Sequence, residues 1–525
     1  MKNAEYWANR MRLLSDALQR QAHDYVINIQ RQFDIAIKDL EKDIRAWYQR
    51  FADNNGNISY GQAQRLLTSD ELKEFKWDVW EYIEKCKESA VNGAWVKQLE
   101  NASARVHISR LESLKIQLQQ QAETLTQARI KATSDASELS YTESYYHTAF
   151  EIQRGIGVGW TMQGVNKTLI EKVLSRPWTV DNQTFTARCW TDKAKLVETL
   201  NQELTRMVAT GDAPDRAIKA IAKRFNVSKS NAGRVVMTES AHFMETAAKD
   251  CFDELGVEQY QIIAGLSVET CGVCADMDKK VFKMSEYSPG TTAPLFHPRC
   301  RCTISPYFED MEGLGTRFAR DVKTGKGYQV PSNTTYKQWK EMQDAKYGAG
   351  TVDRERKKRI NYTADKEQLG KYRAVLGKEA PRTIADFQTL KYDTPDSYAA
   401  LKVKYADKGI QKRIRNNTAY TTLKTGQQGK HIIGNNNYTE GRSYLTGNMD
   451  DAQKLIKKYA GKGEIRRDSK GKWIHKEFCT ADKIIGYYVP PDGSEPIPTN
   501  RFSISYATGK DKGAHIVPAK PEKEE

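Results

Sequence analysis

Five potential metal ligands lie within one stretch of about thirty residues near the middle of this chain. Cys271 and Cys274 are separated by two residues in ETCGVCADMDKKVF, and His297 and Cys300 by two residues in PLFHPRCRC, where Cys302 ends the run. A Cys-x-x-Cys pair places two thiolates on one tight turn, and sulfur and nitrogen ligands at these spacings suit tetrahedral Zn²⁺. A closed site of this kind constrains the fold strongly, because it pins together loops that lack a large core.

We predict one structural zinc ion held by four of these five side chains. The sequence does not separate Cys300 from Cys302 as the fourth ligand. The alternative is a reduced, metal-free set of thiols in which HPRCRC forms a turn, since the 22 residues between the two pairs exceed the spacing of a common zinc finger. A catalytic zinc would also need an open coordination position and an acid or base nearby. Asp276 and Asp278 are near in sequence, but nothing singles them out for that role.

Other sequence signals predict synthesis in a reducing cytoplasm and no membrane span. The N-terminus, MKNAEYWANRMRLLSDALQ, carries charges where a signal peptide needs an apolar core, and no run approaches the ~18 apolar residues of a membrane helix. Clustered cysteines in such a compartment favour a metal over a disulfide. We expect the cysteines outside the cluster to be ordinary core or surface residues. They are Cys86, Cys189, Cys251 and Cys479.

The 525 residues allow roughly three domains of ~150 residues each. Residues 1–160 are predicted to be mainly helical, because apolar side chains recur at steps of three and four. Leu111, Leu118 and Leu125 recur every seven residues, which fits either a short coiled coil or a helix packed in its own bundle. Further on, NVS at 226–228 is predicted to be a turn between two helices, either a packed pair or a helix-turn-helix.

The later segments differ from one another in residue composition and pattern, which predicts a multidomain chain. Residues 161–315 are predicted to form a small α+β domain around the cluster, with a strand near residue 258. Residues 316–424 read first as a loop and then as a basic helix and turn, so we interpret them as a basic connector. Residues 425–520 alternate β-branched and aromatic residues between Gly, Asn and Pro turns, which predicts a separate α+β domain with one helix around DDAQKLIKKYA.

Nearly all of the net charge of +15 lies in the proposed connector. Residues 1–315 carry a net charge of −2, residues 316–424 carry +13 and residues 425–525 carry +4. A basic block of this size indicates contact with a polyanion, most simply nucleic acid. A solvated linker explains the same charges equally well, because charge runs alone do not separate the two.

Motifs around the Cys/His cluster resemble a known family. RVVMTE at 234–239, then TCGVC, then HPRCRC followed by Pro306, closely resemble the tailed-phage head morphogenesis proteins, which are minor head (minor capsid) proteins and include the Mu F-like group. The upstream segment KVLSRPWTVDNQTFTARCW resembles the helical region of the same family. Besides the cluster, the positions matching the signature are Arg234, Thr238 and Glu239.

This resemblance implies a place in the virion head, near the portal and in few copies, after assembly in the host cytoplasm. It implies roles in head assembly and DNA packaging, with portal protein, capsid protein and phage DNA as partners. A structural Zn²⁺ in the cluster would then organise the central domain of a virion component.

The last hundred residues carry a second resemblance. GKHIIGNNNYTEGRSYL, KYAGKGEI and PIPTNRFSISYATGKDKGAHIVP, in this order, resemble the polymorphic toxin type 50 domain over residues 425–518. That domain is a predicted ribonuclease of the barnase/EndoU/colicin/RelE-like group. The resemblance therefore implies RNA as a substrate and would add an immunity protein as a partner.

The side chains of this segment suit RNA cleavage without a metal. Such cleavage needs a base for the 2′-OH proton, an acid for the 5′-oxygen and a cation for the charged phosphorane. Histidine titrates near neutrality, while arginine, lysine and short hydroxyls can hold phosphate. The candidate catalytic residues are His431, His515, Lys430, Arg442, Ser443, Thr499, Ser503 and Ser505.

The two histidines stand at opposite ends of the segment, so a shared site requires that they converge in space. The alternative for each is an ordinary residue at the end of a strand. As a working assignment we take His431 as the base and His515 as the acid, with Lys430 or Arg442 stabilising charge. The sequence equally allows the reverse assignment.

Two functions of different classes follow from these observations. In the first, the chain is a structural minor head protein of a phage or prophage, and its toxin-like module is an accessory. In the second, it is an effector ribonuclease carried in the virion, and the head-protein portion serves for delivery. The two functions are compatible, and activity of the C-terminal module decides whether the second applies.

Overall fold

The structure is a computed structural model that describes residues 4–53, 56–88, 91–179, 181–308, 315–508 and 513–522. The chain divides into two compact units, Met1–Val352 and Asp353–Glu525. Helices dominate the N-terminal part, and small sheets occupy the C-terminal half, as the predicted multidomain α and α+β organisation requires. Within the residues described, no helix combines the length and the apolar character needed to cross a membrane.

The first unit contains the long helices and two small sheets. Its helices are α1 (Ala4–Phe51), α2 (Tyr60–Gln64), α3 (Ser69–Glu88), α4 (Gly93–Ala104), α5 (Arg110–Ile156), α6 (Lys167–Leu174), α7 (Phe185–Thr210), α8 (Asp215–Glu254), α9 (Gly272–Met277) and α10 (Tyr336–Tyr347). Its strands are β1 (Gln259–Ile263), β2 (Val281–Lys283), β3 (Thr303–Tyr307), β4 (Thr316–Arg320) and β5 (Gly327–Pro331). A 3-10 turn, Met284–Glu286, follows β2.

Helices α1, α5, α7 and α8 pack against one another and form a bundle. Leu111, Leu118 and Leu125 of α5 are buried in one core with Phe33 of α1 and Leu200 of α7. Full burial of each such side chain stabilises the fold by about 1.5–3 kcal/mol. The bundle alternative for the leucine repeat is therefore confirmed, because the repeat packs against other helices of the same unit.

The predicted turn at 226–228 is wrong. Residues 215–254 form one continuous helix, α8, and Ser228 is buried inside it. Asn, Val and Ser have weak helix propensity, but each costs less than about 0.7 kcal/mol in a helix. Burial of Phe225, Ala232 and Val236 outweighs this cost, since apolar burial contributes more per large side chain. A helix-turn-helix is therefore excluded at this position.

A three-stranded antiparallel sheet, ordered β2-β1-β3, packs beside α8. β1 is the strand predicted near residue 258, and its Ile262 pairs with Ile304 of β3. Both isoleucines are buried with Phe252 of α8. The short helix α9 follows β1, and β3 starts directly after Cys302. In the chain, the first half of the Cys/His cluster therefore follows the central strand of this sheet, and the second half directly precedes an edge strand.

Residues 316–347, which the sequence predicted to start as a loop, form a β-hairpin and a helix within the first unit. β4 and β5 pair along their full lengths, and Ala319 and Trp339 are buried with Leu266. Only two side chains of β4 are buried. The alternation of buried and exposed residues that would predict a strand is therefore short, and the neighbouring sequence is charged and rich in glycine. Residues 316–352 of the proposed connector thus belong to the first compact unit.

The second unit begins with helices and ends with two sheets. Helix α11 (Thr351–Ile360) begins two residues before this unit, and the other helices are α12 (Tyr362–Leu376), α13 (Ile384–Asp393), α14 (Pro395–Arg415), α15 (Thr418–Thr421), α16 (Thr425–Gln428) and α17 (Met449–Tyr459). Its strands are β6 (Tyr444–Leu445), β7 (Glu464–Arg467), β8 (Trp473–Thr480), β9 (Gly486–Tyr488), β10 (Ile497–Thr499), β11 (Arg501–Tyr506) and β12 (Ala514–Pro518). Two 3-10 turns are Gly377–Glu379 and Gly429–His431.

Helices α12, α13 and α14 pack together around Tyr372 and Phe387. The carboxylate of Asp365 is buried there, and it accepts hydrogen bonds from Lys391 Nζ at 2.7 Å and Gln388 Nε2 at 2.9 Å. Buried carboxylates need such partners, because an unpaired one is costly to desolvate. Much of the proposed connector is therefore folded.

The C-terminal residues form a four-stranded antiparallel sheet, β12-β11-β8-β7, and a three-stranded sheet, β10-β9-β6. Helix α17, at the position predicted from DDAQKLIKKYA, buries Ile456 against Phe502 and Ile504 of β11. The same core includes Ile414 of α14. The core of the C-terminal domain therefore starts before residue 425.

Candidate metal centre and candidate active site

The first pair of thiols is fixed by the start of α9. Cys271 is the residue that caps this helix, and its Sγ accepts a hydrogen bond from the Cys274 backbone N–H at 3.4 Å. Cys274 lies one turn along and is buried, whereas Cys271 is half-buried. The cap therefore sets both sulfur atoms side by side, as Cys-x-x-Cys requires in a metal site.

The second pair is held by a turn that α8 supports. The Cys300 N–H donates to the His297 carbonyl at 3.1 Å, and Arg299 between them has a φ of 61°. This left-handed conformation is uncommon for a residue with a side chain, so the surroundings must hold it in place. The Arg299 N–H donates to the Thr238 hydroxyl at 3.1 Å, and that hydroxyl donates to the Arg234 carbonyl at 2.7 Å. Thr238 thus connects the turn to α8.

The five predicted ligands converge on Cys274. Its Sγ lies 3.2 Å from His297 Nε2 and 3.6 Å from Cys300 Sγ. Cys271, Cys274 and His297 form one triad of ligand atoms, Cys274, Cys300 and Cys302 form another, and within each triad all atoms lie within 4.8 Å. These separations match the edges of a tetrahedron with Zn–S bonds of about 2.3 Å. The cluster is thus able to hold a metal, with Cys300 and Cys302 both within reach.

The ring of His297 is oriented for a metal, whereas the thiols of the cluster differ in pKa. His297 Nδ1 lies 2.8 Å from the Pro298 carbonyl, which places the proton of the neutral ring on Nδ1 and leaves Nε2 facing sulfur. Hydrogen bonds from the Cys274 and Cys302 thiols lower the pKa of Cys300, and the same hydrogen bonds raise the pKa of Cys274 and of Cys302. A metal ion bound here would displace the protons of those two thiols.

Two acidic residues of α8 stabilise the surroundings of the cluster. Burial raises the pKa of Glu245 to about 8, and its carboxylate accepts from the Ile304 N–H at 3.0 Å, at the start of β3. Glu239, one of the signature residues, accepts from Trp178 Nε1 at 2.8 Å and lies 3.5 Å from Arg188 Nη1. Both residues connect segments of the fold. Arg234, the third signature residue, is exposed.

The second site lies on one face of the four-stranded sheet. In the register of β11, Ser505 lies directly opposite His515 of β12 and Lys476 of β8. Side chains that are directly opposite in antiparallel strands share one face of the sheet. His515, Ser505 and Lys476 therefore form a row across three strands. Sequence reasoning missed Lys476, because its strand pairing follows from tertiary structure alone.

His431 reaches this row from a different segment. Its ring stacks on that of His515, with centroids 6.0 Å apart and planes inclined by 14°. His431 Nδ1 lies 2.7 Å from the Ser443 carbonyl, which accepts the ring proton and fixes the imidazole. The structure thus brings together the two histidines that stand at opposite ends of the sequence segment.

Burial and surrounding cations hold these histidines in the neutral form. Burial, together with His431, Lys476, Lys430 and Lys424, lowers the pKa of His515 to about 4. Burial also lowers the pKa of His431, and Arg442 and Lys430 act in the same direction. A bound phosphate group would offset this positive potential. The site therefore has the electrostatic character of an anion-binding site.

The predicted hydroxyl residues differ in position. The Ser443 hydroxyl accepts from the Val489 N–H at 3.1 Å, and the Thr499 hydroxyl accepts from the Arg501 N–H at 3.0 Å, so both stabilise loops. Ser503 lies two residues before Ser505 on the same strand face, opposite Val517. Of the four, Ser505 is the one placed directly opposite a histidine.

Gln428 joins the segment of His431 to the strand of His515. Its side chain is fully buried, accepts from the Ile516 N–H at 2.7 Å and donates to the Ile516 carbonyl at 3.2 Å. These two bonds pair the edge of β12 with the turn that carries Lys430 and His431. In the sequence, Gln428 is distinguished only by its position three residues before His431, which does not predict this pairing.

Two regions of the chain match known families. Residues 198–305 match the family Phage Mu protein F like protein, and this stretch contains the whole Cys/His cluster. Residues 423–518 match the family Bacterial toxin 50, and this stretch contains both stacked histidines. The chain therefore combines a phage head-protein-like region with a C-terminal toxin domain. Searches of the curated proteins and of the solved structures return no match.

Proposed function

We propose that this protein is a minor head component of a phage or prophage that acts in head assembly and DNA packaging near the portal. The match of residues 198–305 to the Mu F-like family supports this role, with portal protein, capsid protein and phage DNA as partners. In this proposal the protein assembles in the host cytoplasm and remains in the virion head. A structural Zn²⁺ in the Cys/His cluster stabilises the central domain.

Zinc content tests the structural part of this proposal. The full chain, purified without added metal, is expected to contain one zinc per chain and to lose thermal stability when a chelator removes it. Cys274→Ser removes the sulfur shared by both triads, so it should abolish stoichiometric zinc. Cys86→Ser alters a buried cysteine outside the cluster and should leave zinc unchanged. Substoichiometric zinc in the folded wild-type chain would overturn the proposal.

A complementation experiment tests the head role itself. Phage lacking this gene product should form normal heads when supplied with the wild-type chain and defective heads when supplied with Cys274→Ser. Supply of His515→Ala should restore head formation, because His515 lies outside the first unit. Normal heads with no supplied protein would contradict a role in assembly.

For the C-terminal domain we propose metal-independent RNA cleavage. The observation that carries this proposal is the pair of stacked imidazoles, 6.0 Å apart, within a set of lysines. One imidazole takes the 2′-OH proton, the other protonates the leaving 5′-oxygen, and a 2′,3′-cyclic phosphate results. Lys430, Lys476 and Arg442 stabilise the charge of the phosphorane, and Ser505 orients the phosphate.

The surroundings of the two rings favour one assignment of base and acid. Burial and the nearby Lys476, Lys430 and Lys424 favour the neutral form of His515 and hence a base. Burial also lowers the pKa of His431, but the Ser443 carbonyl, which accepts its Nδ1 proton, partly offsets this effect, so we assign the acid role to His431. This reverses the working assignment made from the sequence.

A nuclease assay in the presence of EDTA tests the activity. The wild-type chain is expected to cleave single-stranded RNA, and His515→Ala and His431→Ala should each reduce the rate by about 10²–10⁴-fold, the usual contribution of a general acid or base. The control is His475→Ala, because the His475 ring packs against Trp473, with centroids 4.4 Å apart, and not against the two stacked histidines. Equal rates for all four proteins, or cleavage that requires added metal, would overturn the proposal.

The second candidate function is a virion-carried effector that enters the host with the genome. Its support is the toxin-family match together with a C-terminal domain that has its own core. Expression of the full chain should then arrest bacterial growth, and His515→Ala should relieve the arrest. An immunity protein is the partner that this function would require. Growth unaffected by an RNA-cleaving chain would leave only the head role.

A further inference from the structure

A groove of about 610 Å³ lies in the first unit, beside the Cys/His cluster. One side is formed by α1, and the other by the turn around Arg299 and by β4. The lining contains six arginines against two carboxylates, and four residues of the Cys/His cluster also line it. Such a concentration of positive charge in a concave surface attracts anions, because the low-dielectric walls focus the field.

Three of these arginines are neutralised by carboxylates and form the frame of the groove. Arg12 Nε lies 3.3 Å from Asp16, and Arg12 Nη1 also donates to the Arg301 carbonyl at 3.4 Å. Arg301 pairs with Glu269. Arg317 forms a buried ion pair with Asp278 at 3.0 Å. These contacts join α1, the turn and β4 and fix the shape of the groove.

Two other arginines are exposed and lack a carboxylate partner among the described residues. Arg20 stands eight residues after Arg12, two turns further along the same face of α1. Arg299 is held by the bond from its N–H to Thr238, in the left-handed conformation described above. Since structural ion pairs do not occupy these two guanidinium groups, they are available to a ligand that carries phosphates.

An aromatic side chain completes the lining. Phe318 of β4 is 48% exposed, although it is a large apolar residue in the groove. The Arg320 guanidinium lies 5.4 Å from its ring centroid. The ring covers Gly327, where an added Cβ would come within 2.2 Å of a ring carbon. An exposed ring stacked with arginine is the kind of surface on which a nucleic-acid base stacks.

We propose that this groove binds a single strand of nucleic acid, with its phosphates on Arg20 and Arg299 and a base on Phe318. An acidic peptide would use the arginines but would leave the exposed ring without a role. A volume of about 610 Å³ is that of a small-ligand pocket and admits a few nucleotides of one strand, not a duplex. The proposal rests on the first unit alone and does not depend on RNA cleavage by the second.

Fluorescence anisotropy of a labelled 20-mer of deoxythymidine tests the proposal on the full chain. The double variant R20Q/R299Q should bind at least tenfold more weakly at low salt and show a smaller salt slope, since each phosphate contact adds roughly 0.7 to the slope for single strands. Phe318→Ala should weaken binding by about fivefold or more, the usual effect of losing one stacked base, with an unchanged salt slope.

The matched control is K412Q/R413Q, which removes the same charge from exposed residues of α14. It should change the affinity less than twofold. If it weakens binding as much as R20Q/R299Q, the binding is only general charge attraction and the site is excluded. Tighter binding of the matching duplex, or equal competition by polyglutamate, would also overturn the proposal. Circular dichroism of each variant confirms that the fold is retained.

Discussion

The two imidazoles of the C-terminal site are neutral in the folded protein, and this has a consequence for pH. Burial lowers the pKa of His515 to about 4 in the folded state, below its usual value of 6.5. Between pH 6.5 and pH 4 the unfolded chain therefore binds a proton at His515 and the folded chain does not. The free energy of unfolding consequently falls as the pH drops through this range. His515→Gln should reduce this loss of stability. Unfolding with urea at several pH values measures the difference.

The same residue provides a direct measurement of anion binding. Nuclear magnetic resonance should show His515 titrating near pH 4 in the free protein. Addition of inorganic phosphate should move the titration to higher pH, because an anion stabilises the protonated ring. An unchanged titration of His515 at high phosphate would argue against a phosphate site.

Gln428 is expected to act as a positioning residue. Gln428→Ala removes both bonds to Ile516 and leaves buried polar groups unpaired, which should cost about 1–3 kcal/mol of stability. It should also lower kcat for RNA by up to about 10²-fold with a smaller effect on KM, because small displacements of reacting groups are costly. Gln427→Ala, at the exposed neighbouring position, should change neither.

At the scale of single residues, the ligands and histidines could be predicted because short motifs and side-chain chemistry identify them. Cys271, Cys274 and His297 follow from spacing, and His431 and His515 follow from their rarity in the last part of the chain. Lys476 and Gln428 could not be predicted in this way. Their roles arise from strand register and from edge pairing, and neither property is encoded within a local stretch of sequence.

At the scale of elements, helix α8 connects the bundle to the metal centre through one hydroxyl. Thr238→Val should leave the Arg299 N–H without its partner and should speed the loss of zinc to a chelator by about 10–100-fold, the usual effect of removing a residue that supports ligands. Thr238→Ser keeps the hydroxyl and should restore wild-type kinetics.

Thr210→Val is the matched control, because the exposed Thr210 hydroxyl also bonds to a carbonyl one turn earlier but supports no loop. A spectrophotometric chelator assay follows the release. If Thr238→Val and Thr210→Val release zinc equally fast, Thr238 has no special part in holding the turn.

Local sequence patterns predicted a helix or strand well where its buried apolar residues recur at a regular spacing. They predicted it poorly where burial against distant parts of the chain determines the secondary structure. The leucine repeat of α5 and the helix at Met449–Tyr459 belong to the first kind. The unbroken course of α8 through 226–228 belongs to the second, because Phe225 and Ala232 are buried on either side of weak helix formers. The hairpin of β4 and β5 was missed since two buried side chains in β4 and one in β5 give little periodic signal.

At the scale of the whole molecule, the division into two compact units changes where the C-terminal domain begins. The family match starts at residue 423, but the core of the domain includes Ile414 of α14. Gln411 donates to the Gly463 carbonyl at 2.8 Å, and Asp407 forms an ion pair with Arg467. A boundary drawn from sequence similarity therefore omits part of the structure that stabilises the C-terminal domain.

This division predicts how fragments of the chain will behave. A fragment that starts at Asp353, where the second unit begins, should unfold cooperatively and cleave RNA. A fragment that starts at Thr425 lacks α14 and should be unfolded or much less stable. Within the longer fragment, Ile414→Ala should cost about 2–5 kcal/mol, because the side chain is fully buried. Ile360→Ala, at a position 74% exposed, should cost almost nothing. Equal stability of the two fragments in urea would show that α14 contributes nothing to the domain, and that the sequence boundary is the physical one.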